Sequence, residues 1–269
     1  MKIGFDIQST LGKKTGIPRY ALNLMDALRG LPDAPEIIPF QNGLRRDFKT
    51  YVRLWYEASV LPSKIQKSST RPDLVHVPGF GIRKPARTKV VLTAHDLIGY
   101  LFPENLSPTA RLYWSHWLPN CYKQADYLIA DSEHTKNDLM VHLGIPEKKI
   151  SVIYLAPDPS CIPVSKSGAA QAVRDALGIS EPYFLFVGTI EPRKNLVRTL
   201  KAYALALAEK KDIPKLVVVG AKEWGRSVFG FPRTIQPQAG WKDPEEARVA
   251  VAREGRPQNA FCGRGPIPA

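Results

Sequence analysis

Residues 183–221 read "YFLFVGTIEPRKNLVRTLKAYALALAEKKDIPKLVVVGA". Two apolar runs, "YFLFVGT" at 183–189 and "KLVVVGA" at 215–221, flank a stretch in which Leu196, Leu200, Tyr203 and Leu207 return to one side of a helix expected over 194–209. Strand, helix and strand in that order form a β-α-β unit, whose two strands run parallel in one sheet. The unusual part is the turn between the first strand and the helix. It leaves the strand through Gly188 and enters the helix through Arg193 and Lys194, two cations at the end where the helix dipole is already positive. A glycine turn, free backbone amides and two fixed cations together make a clamp for a phosphate or diphosphate. The alternative for the same residues is a solvated basic helix end.

Upstream, the same alternation recurs through "KIGFDI" (2–7), "EIIPF" (36–40), "LVHVP" (74–78), "KVVLTA" (89–94), "YLIADS" (127–132) and "SVIYLA" (151–156). Short strands alternating with helical patterns imply an α/β protein with a parallel sheet covered on both faces. Ile17, Ala21, Leu24 and Leu28 mark one face of a helix after the first strand. A second helix, "EHTKNDLMVHLG" (133–144), is capped by Ser132 and closed by Gly144. One complete Rossmann-like domain is therefore expected over 1–156. Residues 157–170, "PDPSCIPVSKSGAA", hold three prolines and three serines and read as a linker. A short helix at 170–178 then opens an incomplete second domain over 171–221.

Beyond that point the character of the sequence changes. Leucine occurs 26 times in residues 1–216 and not once in 217–269. With no helical or strand period and much Gly, Pro, Arg and Gln, residues 222–269 are expected to be an irregular tail of low order. Loss of leucine fits a shifted reading frame and a truncated second domain, with a sheet edge left bare after residue 221.

The 269 residues carry 44% apolar side chains and a net charge of +13, a balance that suits a globular protein with an anionic partner. Cys121, Cys161 and Cys262 are odd in number and widely spaced, so they suggest neither a disulfide framework nor a zinc site and read as packing thiols. No signal-peptide layout or membrane-length apolar run is seen, so the expected location is the cytoplasm. Scattered Lys and Arg without a stacking-aromatic motif disfavour nucleic acid as the partner. Residues 44–67, "LRRDFKTYVRLWYEASVLPSKIQK", mix six basic and two acidic residues with Phe48, Tyr51, Leu54, Trp55 and Leu61. That mixture suits either an interfacial helix on an anionic membrane surface or a basic helix packed on the sheet.

Three further positions invite chemistry. "QSTLGKKTGIPRY" joins the first strand to a helix, so an anion or sugar would approach the backbone at Gly16, unless this is an ordinary βα turn. It is not G-x-G-x-x-G, and no acidic residue ends the second strand, which disfavours a dinucleotide dehydrogenase. His95 and Asp96 follow an apolar strand, at the carboxyl edge where parallel sheets take ligands, or else they cap the next turn. His76, inside a strand, reads as a core histidine.

Together "TGIPRYALNL", "LVHVPGFG", "TAHDL", "ADYLIADSEHTKNDL", "GIPEKKISVIYLAPDP" and "YFLFVGTIEPRKNLVRTLKAYALA" resemble glycosyltransferase family 4, retaining enzymes of the two-Rossmann-domain fold called GT-B. The resemblance runs from residue 1 to about residue 221. It implies transfer of a sugar, mannose by family preference, from a nucleoside-diphosphate sugar donor to a glycan or lipid-linked acceptor. The setting it implies is cell-envelope or exopolysaccharide assembly, on the cytoplasmic side and peripheral to the plasma membrane. By the same resemblance Gly16 lies beside the transferred sugar or its phosphate, His95 of the His95–Asp96 pair meets the donor sugar, and Arg193 and Lys194 hold the diphosphate. No cofactor and no metal are implied, because fixed cations and helix amides stabilise the departing diphosphate. Many relatives carry an arginine directly after the glycine of "FVG"; here that position is Thr189, which leaves more to Arg193. Glu246 and Glu254 match the family's Glu-seven-Glu spacing, but "ARVAVAR" between them lacks the family's glycine-rich turn, and the match reads as accidental. A non-catalytic remnant lacking the nucleotide-binding half is the alternative.

Overall fold

The computed structural model describes residues 1–11, 16–43, 50–158, 161–188, 192–209, 212–219 and 250–252. Two units emerge, Met1–Asp158 and Pro159–Ala269. In the first, chain order is β1 (Lys2–Asp6), α1 (Gly16–Arg29), β2 (Glu36–Phe40), α2 (Thr50–Trp55), α3 (Leu61–Lys67), β3 (Leu74–Val77) and β4 (Lys89–Ala94). It continues through α4 (Ile98–Leu101), α5 (Pro108–Leu112), α6 (Leu118–Gln124), β5 (Tyr127–Ala130), α7 (Glu133–Leu143) and β6 (Ile150–Val152). All six strands pair in parallel, in the order β2-β1-β3-β4-β5-β6.

Burial explains why these segments became strands and helices. Ile3 and Phe5 of β1 pack with Ala21 and Met25 of α1. A larger cluster joins Val75, Val77, Leu92 and Leu128 of the sheet to Tyr56, Leu61, Ile65, Leu118 and Leu139 of the helices. Each such side chain contributes about 1.5–3 kcal/mol on leaving water. Local signals set the ends of α7: Ser132 Oγ accepts the Thr135 amide at 3.0 Å, and Gly144 turns the chain at φ 67°. Two single π turns interrupt the helices: Tyr56–Val60 joins α2 to α3, and Tyr113–Trp117 joins α5 to α6.

This topology fixes where a ligand can lie. The chain runs from β1 outward to β2, then crosses back past β1 to β3, so the strand order reverses between β1 and β3. Open parallel sheets bind ligands outside the carboxyl ends of strands at such a reversal.

The second unit comprises α8 (Lys166–Leu177), β7 (Tyr183–Val187), α9 (Leu196–Glu209), β8 (Lys215–Val219) and β9 (Ala250–Ala252). Leu196, Leu200 and Tyr203 are buried against Leu216 and Val218, with Leu207 beside them, as the helical spacing requires. Several features differ from the sequence expectation. β6 stops at Val152, leaving Ile153, Tyr154 and Leu155 exposed, because β5, the strand it pairs with among the described residues, ends at Ala130. α8 begins earlier than residue 170, since Ser165 Oγ caps it by accepting the Gly168 amide at 3.1 Å. Cys161 is exposed, whereas Cys121 is buried as a packing thiol. Finally, the edge of β8 is not bare: three residues of the expected irregular tail pair with it in parallel, Val217↔Ala250 to Val219↔Ala252. Their source is "RVAVA", an alternating β-branched run of the kind strands favour. The rest of the tail, including Cys262, Glu246 and Glu254, lies outside the described residues.

Candidate functional site

In the first sheet Ala94 pairs with Ala130, so the next residue of each strand, His95 and Asp131, emerges beside the other at the carboxyl edge. His95 Nδ1 lies 3.0 Å from Asp131 Oδ2. Thr135, in the first turn of α7, donates its hydroxyl to the His95 carbonyl at 2.9 Å and lies 3.5 Å from the other Asp131 oxygen. The Tyr20 ring of α1 stands edge-on to His95, with centroids 5.0 Å apart and planes at 90°. From Tyr20 a hydroxyl chain leads inward to Thr93 Oγ1 at 3.0 Å and on to His76 Nε2 at 2.9 Å.

His76 is the core histidine its strand position suggests. Burial, with a smaller contribution from His95 nearby, pushes it down to about 4, so it is neutral at physiological pH. His95 differs from it in one respect. Its Nε2 is buried and has no hydrogen-bond partner among the described residues. Gly79 borders that nitrogen at φ 117°, and a Cβ there would come within 2.9 Å of both His95 Nε2 and Ile17 Cγ2. Only glycine tolerates that conformation and that approach together.

Asp96 sits differently from its neighbour. It is exposed, and its Oδ1 accepts the Ile98 amide at 3.1 Å, which is the turn-capping alternative. Gly16 opens α1, and a Cβ there would meet no described atom within 4 Å. Packing among the described residues therefore does not require a glycine at 16. In the second unit Arg193 and Lys194 do not begin the helix as the sequence suggested. They occupy a 3-10 turn, Pro192–Lys194, and Asn195 at φ 58° separates them from α9. The left-handed Asn195 interrupts the helical path, which moves both cations off the first turn of α9 and eases their conflict with its dipole. Both are exposed, and the Lys194 stem runs 3.8 Å from where a Gly188 Cβ would be. Residues 12–15, Thr189 and Glu191 lie outside the described residues.

Within the first unit the two π turns meet. Glu57, in the first, accepts Tyr113 Oη at 2.9 and 3.0 Å and Trp117 Nε1 at 2.8 Å, both from the second. Burial pushes its carboxyl up to about 8, opposed by the Arg53 charge and these hydrogen bonds. Asp6, at the end of β1, accepts Tyr56 Oη at 2.9 Å and is pushed up to about 6, again by burial first. The Arg53 guanidinium lies 3.8 Å over the Phe80 ring. Sequence reading missed this network and missed Asp131, Tyr20 and Thr93. For Asp131 a signal existed, because it occupies the same position after its strand as His95 does after the neighbouring one.

The profile of Glycosyltransferase Family 4 matches residues 15–160. The sequence is 26% identical to O-antigen chain mannosyltransferase B of Escherichia coli over 58% of this chain and 41% of that protein. It is 29% identical to the serotype-specific mannosyltransferase WbdA of Escherichia coli over 55% of this chain and 23% of that protein. Its fold is similar to that of Anabaena HepE in complex with UDP and glucose, with a TM-score of 0.53 and 21% identity over 83% of this chain and 62% of that one. The complex of HepE with UDP-glucose gives a TM-score of 0.51. The expected GT-B-like α/β class is thus the fold observed. The matches span less than two thirds of each of these proteins.

Proposed function

Because the chain belongs to Glycosyltransferase Family 4, we propose that it acts in transfer of a sugar from a nucleoside-diphosphate sugar to a glycan or lipid-linked acceptor, with retention, in polysaccharide assembly. The observation that carries this reading is His95 at the sheet's carboxyl edge, with Nδ1 engaged and a buried Nε2 that has no hydrogen-bond partner among the described residues. Both curated relatives are mannosyltransferases, which supports mannose as the sugar and GDP-mannose as the donor to test first. In this reading His95 meets the sugar, Asp96 shapes the turn behind it, and Gly16 leaves the start of α1 open to the ligand. Arg193 and Lys194 hold the diphosphate of the donor.

Negative charge grows on the leaving oxygen as the glycosyl bond breaks, so fixed cations stabilise that state more than the ground state. The departing phosphate then takes the proton of the acceptor hydroxyl. The test is calorimetric titration of the full chain with GDP, UDP and GDP-mannose, followed by transfer of labelled mannose to a membrane extract. Saturable binding and label transfer are expected. Absence of saturable binding by every nucleoside diphosphate would overturn the reading in favour of a non-catalytic remnant.

We further propose that the acceptor side of the first unit meets an anionic membrane surface. In the 44–67 segment Tyr56, Leu61 and Ile65 are buried on the sheet, as the packed-helix alternative requires, but Tyr51 and Trp55 of α2 remain 60% and 55% exposed. Leu112 of α5, which contacts α2, is 54% exposed and adds to this apolar surface. No helix among the described residues is long and apolar enough to cross a membrane. Aromatic side chains among cations suit insertion at the level of anionic headgroups. In vesicle co-sedimentation the protein is expected to bind phosphatidylglycerol-containing liposomes, to release in high salt, and to bind less after Tyr51→Ala with Trp55→Ala. Equal, salt-insensitive binding to neutral and anionic liposomes would refute an electrostatic membrane contact.

A further inference from the structure

Resting on the sugar-transfer reading, we propose that Asp131 is a positioning residue. Its carboxylate accepts a hydrogen bond from the Nδ1–H of His95, and Nε2 is thereby left as a lone-pair acceptor for a hydroxyl of the transferred sugar. A neutral imidazole carries one donor and one acceptor nitrogen, and the partner of one fixes the role of the other. Asp131 Oδ2, 3.0 Å from Nδ1, is an acceptor when ionised, so Nδ1 carries the hydrogen. The two side chains are only 19% and 15% exposed, which strengthens the contact and holds the ring against rotation.

Three neighbours complete the constraint. Thr135 holds the His95 carbonyl and reaches toward the second Asp131 oxygen, tying the main chain of one residue to the side chain of the other. Tyr20 packs against the ring at a right angle, and Gly79 supplies the room beside Nε2 that any side chain would fill. The consequence is chemical selectivity. An acceptor nitrogen recognises a hydroxyl hydrogen and gains nothing from an ionised phosphate oxygen, so His95 in this state reads the sugar and leaves the diphosphate to other groups. No proton transfer by His95 is required.

Nitrogen-15 NMR of the full chain tests this without turnover, with the His95 signals identified by their loss in His95→Gln. The expected wild-type pattern is a pyrrole-type Nδ1 and a pyridine-type Nε2. Asp131→Asn, whose amide can donate to Nδ1, is expected to invert it, and Asp131→Ala to mix the tautomers. A wild-type Nε2–H tautomer, a doubly protonated ring at neutral pH, or a pattern unmoved by both substitutions would overturn the proposal.

The second measurement compares nucleotides. Asp131→Asn is expected to weaken GDP-mannose roughly fivefold, the worth of about one neutral hydrogen bond, and to leave GDP unchanged. Equal weakening of both ligands would overturn the assignment of Nε2 to the sugar. Failure of the wild-type chain to bind any nucleotide would sink the sugar-transfer reading instead, and the tautomer pattern would still decide whether Asp131 sets the ring.

Discussion

Glu57→Ala is expected to lower the unfolding free energy by about 2–6 kcal/mol through two stranded donors at about 1–3 kcal/mol each, and further through the cavity left in the core. Glu57 is 1% exposed, and its removal leaves Tyr113 Oη and Trp117 Nε1 without the acceptor that joins the two π turns. Glu57→Gln keeps the shape and an acceptor oxygen, so its cost is expected to be about 1 kcal/mol. The pH dependence has a definite sign. A carboxyl held at about 8 in the folded chain, against 4.5 for an ordinary glutamate, binds its proton more tightly when folded. Its contribution to stability is therefore complete below 4.5 and is lost as pH rises toward about 8. Asp6, raised from 3.8 to about 6, adds the same slope in the lower part of that window. Thermal melts of wild type and Glu57→Gln across the window check this: the wild-type midpoint should fall with pH more steeply than that of the variant. Parallel curves would show that Glu57 does not stay protonated in the fold.

The second large effect concerns ligand affinity and leaves stability nearly unchanged. Replacing Arg193 and Lys194 together with Ala is expected to weaken nucleoside-diphosphate binding by two to four orders of magnitude, at about 1.5–3 kcal/mol for each charge-assisted contact. Both side chains are exposed and stand outside the first turn of α9, so the melting midpoint should move by no more than about 0.5 kcal/mol in equivalent stability. Calorimetry of the wild type and the double variant with GDP, beside a thermal melt of each, separates the two effects. An unchanged dissociation constant in the double variant would remove these residues from the diphosphate site.

Elements whose causes are local were legible in the amino-acid order alone. β2 and β4 could be bounded from their apolar runs, and α7 from Ser132 and Gly144, because capping and periodicity act within a few residues. The β-α-β unit at 183–221 was legible for the same reason, since Leu196, Leu200, Tyr203 and Leu207 repeat at helical spacing. The placement of His95 after a strand was legible too, but its partner was not. Asp131 lies 36 positions away, and only the pairing of β4 with β5 in the register Ala94↔Ala130 sets the two side chains together. Strand order and register arise from burial of the whole sheet, which no local window of sequence contains. Glu57 shows the limit most clearly. Within a basic, aromatic segment it reads as a surface charge, yet the π turn rotates it inward to meet Tyr113 and Trp117 from a helix 56 and 60 residues further along. Whether a carboxylate faces water or becomes a buried acceptor depends on what the opposite helix presents, and only tertiary structure brings that helix near.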